Sequence, residues 1–169
     1  QSSMDAVTRG TSDGLNIYLS ILAILIVLIA FVALLNGVVG TLPDVAGAPL
    51  TLERIAGWIF APIAWLMGIP WAEAQTTGSL LGIKSILNEF IAFLQLADMP
   101  AGALSEHSRL ITIYAIAGFA NLSSIGIQIS GIGAMAPERR NDLANLGFRA
   151  LVAATLAACM NGAIVGIVA

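Results

Sequence analysis

The chain has 169 residues, of which 58% are hydrophobic and 10% are charged, and its formal net charge is −3. An ordinary soluble domain carries roughly 25% charged residues, so this composition excludes that class and indicates a polytopic membrane protein. Binding of nucleic acid needs a field of positive charge, which the chain lacks, so we expect no nucleic-acid partner.

The first unit, residues 1–48, is predicted to be one long helix that passes from an amphipathic start into the membrane. No charged residue lies between Asp13 and Asp44, and most residues from 17 to 35 are Ile, Leu, Val or Ala. A stretch of this length can cross a hydrocarbon core about 30 Å thick. We place the helix itself at residues 4–36.

The middle of the chain is apolar but frequently interrupted. Gly57 and Pro62 punctuate residues 49–69, which favours an interfacial or broken helix over a spanning one. Residues 70–97 contain a weakly polar arm and a short apolar arm, neither of them long enough to span a bilayer. We predict a re-entrant helical hairpin here, with its tip at residues 85–89.

Residues 98–169 are predicted to form two further transmembrane helices. The charge-free run from Leu110 to Pro137 is interrupted by glycines and carries polar residues near its middle, which is typical of a discontinuous transporter helix. Three arginines, Arg139, Arg140 and Arg149, lie between this run and the last one. The positive-inside rule therefore places residues 137–149 in the cytoplasm and the carboxyl terminus outside.

Glu89 stands within an apolar stretch where a carboxylate is costly. At membrane depth such a group survives mainly where it faces a polar cavity and binds something. A second polar cluster, Asn121 with Ser123 and Ser124, follows about thirty residues later. We expect one binding site assembled from both segments. The alternative is a buried structural pair, with Glu89 satisfied by Lys84 or by helix ends.

The residue types in these clusters suit the recognition of hydroxyl groups. A carboxylate accepts hydrogen bonds from two vicinal hydroxyls, and an amide both donates and accepts. A sugar ring fits Glu89, Asn88 and Asn121 better than an inorganic ion does. Phe119 and Phe90 each stand next to these polar residues in the sequence and could cover an apolar ring face, although ordinary packing is the commoner role of such residues. The serines could instead bond back to carbonyls of their own helix.

The sequence offers little for catalysis or for metal binding. It contains no phosphate-binding loop, no Gly-x-Ser-x-Gly elbow and no His-Glu-x-x-His motif. His107 and Cys159 have no neighbours at zinc-ligand spacing, so we expect neither a metal site nor a covalently bound cofactor. The prediction is therefore that the chain is not an enzyme. The rival interpretations are a membrane-embedded enzyme with Glu89 as general base, or a non-transporting structural subunit.

Several stretches of the sequence resemble one known family. They are residues 88–90 (Asn-Glu-Phe), 118–126 and 135–140, with further similarity at residues 33–37, 57–68 and 70–74. In this order they are similar to the carboxyl-terminal half of the concentrative nucleoside transporters. Members of that family are about twice as long as this chain.

The resemblance implies a cation-coupled nucleoside symporter of the bacterial inner membrane. Such a transporter is a homotrimer in which a transport domain moves like an elevator against a scaffold, and residues 1–48 look like the scaffold helix. Residues 105–136 look like an unwound helix and 141–169 like the helix that follows. By resemblance, Glu89, Asn121 and Ser124 bind the ribose and Phe119 lines the site, with Asn88 and Ser123 as secondary candidates.

The resemblance also implies what lies outside these residues. The front half of the family carries the nucleobase-binding hairpin and the site of the coupling ion, Na⁺ or H⁺. We therefore expect this chain to need an N-terminal half as a partner, besides the nucleoside and the lipid bilayer.

Overall fold

The computed structural model of the chain describes residues 2–45 and 47–169. The elements in these residues are all helical apart from one isolated bridge between Val45 and Ala48, so the predicted all-α class is confirmed. In chain order they are α1 (Ser3–Val39), α2 (Leu52–Leu66), α3 (Trp71–Ile86), α4 (Glu89–Asp98), α5 (Glu106–Ile116), α6 (Leu122–Met135), a 3-10 turn (Pro137–Arg139) and α7 (Arg140–Val168).

Two of the described helices are long and apolar enough to cross a membrane. They are Ser3–Val39, which is α1, and Pro137–Val168, which contains α7. Most apolar side chains of α1 face outward, as at Ile26 and Val27. An apolar helix that buries so little against its own chain must be covered by lipid or by other protein.

The core of the structure lies where α2, α3 and α5 meet α7. Fully buried residues from these helices, among them Ala64, Leu80 and Ile111, pack in one cluster that Cys159 of α7 joins. Helix α4 contributes Ala92 and Leu96 to the same cluster. The helix that begins at Glu89 is therefore held by this core.

Helix α2 runs without interruption through Gly57 and Pro62, which differs from the predicted break in this segment. Pro62 lies inside the helix although an interior proline removes one backbone hydrogen bond and crowds the carbonyl four residues before it. Gly57 does not mark a break either. It lies where α3 crosses α2, and a side chain there would meet α3. The chain turns instead at Gly68, whose φ of 100° is readily adopted by glycine. The interfacial position of this helix stays a prediction.

Helices α2 and α3 approach each other closely because small residues line their contact. A Cβ atom added at Gly78 would lie 2.5 Å from the carbonyl oxygen of Gly57 and 2.8 Å from the backbone nitrogen of Ala61. Gly82 faces Ala56 in the same way one turn later. Small residues at such spacing let helix backbones pack tightly in membrane proteins.

Replacing Gly78 with alanine should therefore destabilise the protein. The added methyl group has no free space, so the two helices must separate, at a cost of about 1–3 kcal/mol. We expect a lower melting temperature for the purified variant in detergent. Gly131→Ala is the matched control, because a Cβ atom there would meet no atom within 4 Å. Equal melting of the two variants would contradict the close contact.

The end of α1 is tied to the start of α2 by a half-buried amide. Asn36 Nδ2 donates to both carboxylate oxygens of Glu53 at 3.0 Å, and Asn36 Oδ1 accepts from the backbone N–H of Leu52 at 2.8 Å. Arg54 donates to the carbonyls of Val45 and Ala48 at 2.6 Å each. These bonds fix the polar connection between the two helices.

Candidate functional site

The two polar clusters singled out in the sequence both lie where a helix begins. Asn88 precedes α4, and its side-chain oxygen accepts a hydrogen bond from the backbone N–H of Ile91 at 2.9 Å. Asn121 precedes α6 and accepts from the backbone N–H of Ser124 at 2.8 Å. Each asparagine satisfies an N–H group that the first helical turn leaves unpaired. Each therefore marks the point at which the chain resumes a helix after a break.

The two helix starts meet at Glu89, the first residue of α4. Asn121 Nδ2 donates to Glu89 Oε2 at 3.0 Å, although the residues are 32 positions apart. Asn121 is fully buried, whereas Glu89 is half-buried. A carboxylate is favoured at a helix start by the helix dipole. Among the side chains that the structure describes, only Asn121 bonds Glu89, so Glu89 Oε1 can accept hydrogen bonds from a ligand.

The two serines that follow Asn121 in the chain hold it in place by hydrogen bonds. Ser124 Oγ donates to the carbonyl of Asn121 at 2.6 Å, so this hydroxyl bonds back to its own helix start. Ser123 Oγ donates to Asn121 Oδ1 at 2.5 Å. With the backbone bond to Ser124, both serines hold the Asn121 amide in one orientation. That orientation aims its N–H groups at Glu89.

Apolar surface adjoins this polar centre and is open. Phe90 is 64% exposed and Phe119 is 54% exposed. A cavity of about 120 Å³ borders Phe119 and Ser124 on the side of α7, and neither Glu89 nor Asn121 lines it. Ligand pockets usually measure about 300 Å³ or more. The cavity is therefore too small to hold a ligand by itself, and both aromatic rings stand exposed next to polar residues in the chain.

The alternative of a buried structural pair requires Lys84 to bond Glu89, and the described residues show no such bond. Its ammonium group is fully buried and has no hydrogen-bond partner among the residues described. Lys84 was predicted only as a possible partner of Glu89, although it is the single Lys or Arg residue between Arg54 and Arg109. A single positive charge in a long stretch without another Lys or Arg is the signal that could have indicated its buried position.

The remaining candidates from the sequence lie away from the Glu89 centre. His107 Nε2 bonds the carbonyl of Gly166 at 3.0 Å, a contact between α5 and the end of α7. Cys159 is buried in the core. Within the described parts of the chain, no three His, Cys, Asp or Glu residues are grouped so that they could hold a metal ion.

The arrangement can recognise neutral, hydroxyl-rich molecules. Glu89 offers acceptor positions, and Asn121 Nδ2 carries a second N–H besides the one that it donates to Glu89. Two vicinal hydroxyls could each donate to the carboxylate while one of their oxygens accepts from the amide. The exposed rings of Phe90 and Phe119 offer apolar contact beside these polar groups.

Comparison with known sequences gives a consistent answer. A family model described as the C-terminus of the Na⁺-dependent nucleoside transporters matches residues 1–166. An uncharacterised transporter of Bacillus subtilis, YutK, is 42% identical over 96% of this chain and 40% of its own length. The nucleoside permease NupC of Helicobacter pylori is 36% identical over 98% of this chain and 41% of its own length. The mouse sodium/nucleoside cotransporter 1 is 33% identical over 99% of this chain and 28% of its own length.

Comparison with solved structures agrees. CNTnw in its intermediate 2 state superposes on this chain with a TM-score of 0.89 and 38% identity. The match covers 100% of this chain and 43% of that one. The inward-facing, substrate-bound state of CNTnw superposes with a TM-score of 0.79 and 39% identity, over 98% of this chain and 41% of that one.

The chain spans about two-fifths of the length of the bacterial relatives that it matches. These relatives are named as transporters, permeases and cotransporters, which excludes the interpretation of Glu89 as the general base of a membrane enzyme. Because the family model covers nearly every residue, the chain belongs to the Na⁺-dependent, concentrative nucleoside transporters and matches their C-terminal region.

Proposed function

We propose that this chain is the C-terminal part of a cation-coupled nucleoside symporter and supplies the ribose-binding wall of its substrate site. The observation that carries the proposal is the hydrogen bond between Glu89 and Asn121, because it brings two helix starts together at one carboxylate. The relatives of this chain are longer than the chain itself. We call the protein that contains this chain together with the remaining part of such a relative, in one chain or in two, the whole transporter.

The ribose-facing residues are proposed from the contacts of the site. Glu89 accepts from the vicinal hydroxyls, and Asn121 donates through its second N–H. Phe119 in the connection before α6 and Ser124 in its first turn complete this wall, since both lie within three residues of Asn121 in the chain. Asn88 and Ser123 are proposed in secondary roles, in which Asn88 holds the start of α4 and Ser123 holds the Asn121 amide.

The coupling ion is proposed to be Na⁺, which the description of the family supports; H⁺ is the alternative. We place its site in the part of the whole transporter outside this chain, as the family resemblance implies. Coupling then requires that the ion and the nucleoside act on the same moving unit.

We propose a role in the transport cycle for each of the four units that the sequence defines. Residues 1–48 act as the scaffold helix at the interface of a homotrimer. Residues 49–69 lie at the membrane interface, 70–97 form the re-entrant hairpin, and 98–169 carry the transport helices. The elevator-like motion is proposed from the family resemblance, and an open groove of about 850 Å³ lies between α1 and α6. The proposed location is the inner membrane, with residues 137–149 in the cytoplasm and the carboxyl terminus outside.

Liposomes that contain the whole transporter test this function directly. We expect unmodified uridine to accumulate when an inward Na⁺ gradient is imposed, and accumulation to stop when an ionophore dissipates the gradient. A proton gradient without Na⁺ tests the alternative ion. Absence of both uptake and uridine-dependent thermal stabilisation would favour a structural subunit instead and would refute the proposal.

A further inference from the structure

Two buried threonines join the first arm of the hairpin to the helix that leads to Asn121. The Oγ1 atoms of Thr77, on α3, and Thr112, on α5, lie 2.9 Å apart, although the residues are 35 positions apart in the chain. Both side chains are fully buried. A hydrogen bond between hydroxyl groups of different helices is a directional contact within otherwise apolar packing. Neither threonine belongs to the site as described so far.

The direction of this hydrogen bond follows from a second contact of Thr112. Its Oγ1 atom donates to the carbonyl oxygen of Ser108, one turn earlier in α5, at 2.7 Å. A hydroxyl group carries a single hydrogen, so Thr112 has none left for the neighbouring helix. Thr77 is therefore the donor and Thr112 the acceptor between α3 and α5. The hydroxyl of Thr77 is thus paired across the contact between the two helices.

A second contact joins the same two helices at their starts. Glu73 Oε2, in the first turn of α3, accepts from the backbone N–H of Ser105 at 3.1 Å and from its hydroxyl at 3.0 Å. Ser105 is the residue that caps α5. This contact, the threonine pair and the bond between Glu89 and Asn121 follow one another in the same order along both segments. Helices α3 and α5 therefore run parallel, and each leads towards one of the two site residues.

The site residues depend on the register of these helices because a short non-helical segment precedes each of them. Leu87 and Asn88 separate α3 from Glu89, and residues 117–120 separate α5 from Asn121. Apolar contacts are not directional, so they resist a slide of one helix along the other only weakly. A bond between hydroxyls is held at about 2.5–3.0 Å, and one residue of slide is about 1.5 Å. The hydrogen bonds between α3 and α5 therefore fix their register.

We propose that Thr77 and Thr112 are positioning residues for the substrate site, which fix α5 along α3 so that Asn121 meets Glu89 in the geometry that binds the sugar. The inference rests on the function proposed above, because it concerns the same site. Neither threonine touches the substrate in this scheme. They act through the placement of the two helices, and the contact at the helix starts holds the same register.

The test replaces Thr77 with valine in the whole transporter. Valine has the same shape without the hydroxyl, and Thr112 keeps its bond to Ser108, so neither position is left with an unpaired hydroxyl. We expect the affinity for uridine to fall about three- to tenfold, since a displaced carboxylate makes weaker hydrogen bonds to the ribose. The affinity for 2′,3′-dideoxyuridine should change much less. Equal losses for both ligands, or no loss for either, would overturn the inference.

Two further variants on α3 separate the hydroxyl group from the packing of the helix. Thr77→Ser keeps the hydroxyl and should keep most of the preference for uridine. Thr76→Val makes the same change at the neighbouring, half-buried threonine, for which the described residues show no side-chain hydrogen bond, and should bind both ligands like the parent. A loss of preference in Thr77→Ser or in Thr76→Val as large as that in Thr77→Val would contradict the role of this hydroxyl.

A second readout does not depend on uridine. Glu89→Ala leaves the buried amide of Asn121 without its partner and should lower the melting temperature of the whole transporter in detergent. In Thr77→Val this bond is already displaced, so Glu89→Ala should lower the melting temperature less than it does in the parent. Residues that share no partner usually contribute independently, and Thr77 and Glu89 share none among the described residues. Additive losses would therefore overturn the inference, whereas a parent that fails to bind uridine would refute the proposed function instead.

Discussion

Glu89→Gln should leave the fold intact and weaken nucleoside binding by at least tenfold. Glutamine has nearly the same shape and can still accept the hydrogen bond from Asn121, so the contact between the two helix starts survives. It loses the negative charge, and its NH2 group replaces the carboxylate oxygen that Asn121 leaves free for the ligand. A charge-assisted hydrogen bond contributes about 1.5–3 kcal/mol, and 1.4 kcal/mol corresponds to a factor of ten in affinity.

The measurement compares ribosides with nucleosides that lack the ribose hydroxyls. Dissociation constants of uridine and of 2′,3′-dideoxyuridine are determined for the parent and for Glu89→Gln in the whole transporter. The variant should lose much more affinity for uridine than for the dideoxy compound, because only uridine donates to the carboxylate. Asp98→Asn is the control, since it neutralises an exposed carboxylate at the far end of the same helix. Equal losses of affinity for both ligands would show that Glu89 does not recognise the ribose hydroxyls.

The fold class and the polar positions of the site could be predicted from the sequence because they depend on local patterns. The uncharged stretch before Asp44 required a long apolar helix, and α1 runs from Ser3 to Val39. Glu89 and Asn121 stood out because a polar residue is costly in an apolar stretch. These are properties of single segments, which hydropathy and spacing report directly.

What the sequence did not predict depends on contacts between segments. The capping roles of Asn88 and Asn121 had a local signal, an asparagine just before an apolar run, which we did not use. The bond between Asn121 and Glu89 had none, because it joins residues 32 positions apart. Gly57 suggested a break in α2, yet it is where α3 packs against this helix. Glycine marks a turn and a close contact equally well, and only the neighbouring helix decides between them.

Residues 1–169 expressed alone should associate into an oligomer but bind uridine with negligible affinity. Association is expected because α1 leaves its apolar side chains exposed along most of its length. Negligible binding is expected because the described residues form only one wall of the site. Phe90 and Phe119 are largely exposed, and the cavity beside Phe119 holds about 120 Å³. A ligand on one open wall buries too little surface to offset the loss of its translational freedom.

Calorimetric titration with uridine and light scattering of the purified chain in detergent measure the two expectations separately. The whole transporter, prepared in the same detergent, is the positive control for uridine binding. Co-expression of residues 1–169 with the remaining length of a relative should restore affinity, and Glu89→Gln in that complex should remove most of it again. Clear micromolar binding by residues 1–169 alone would show that Glu89, Asn121 and the adjoining phenylalanines already make a complete site. The opposite wall would then be needed for moving the nucleoside rather than for holding it.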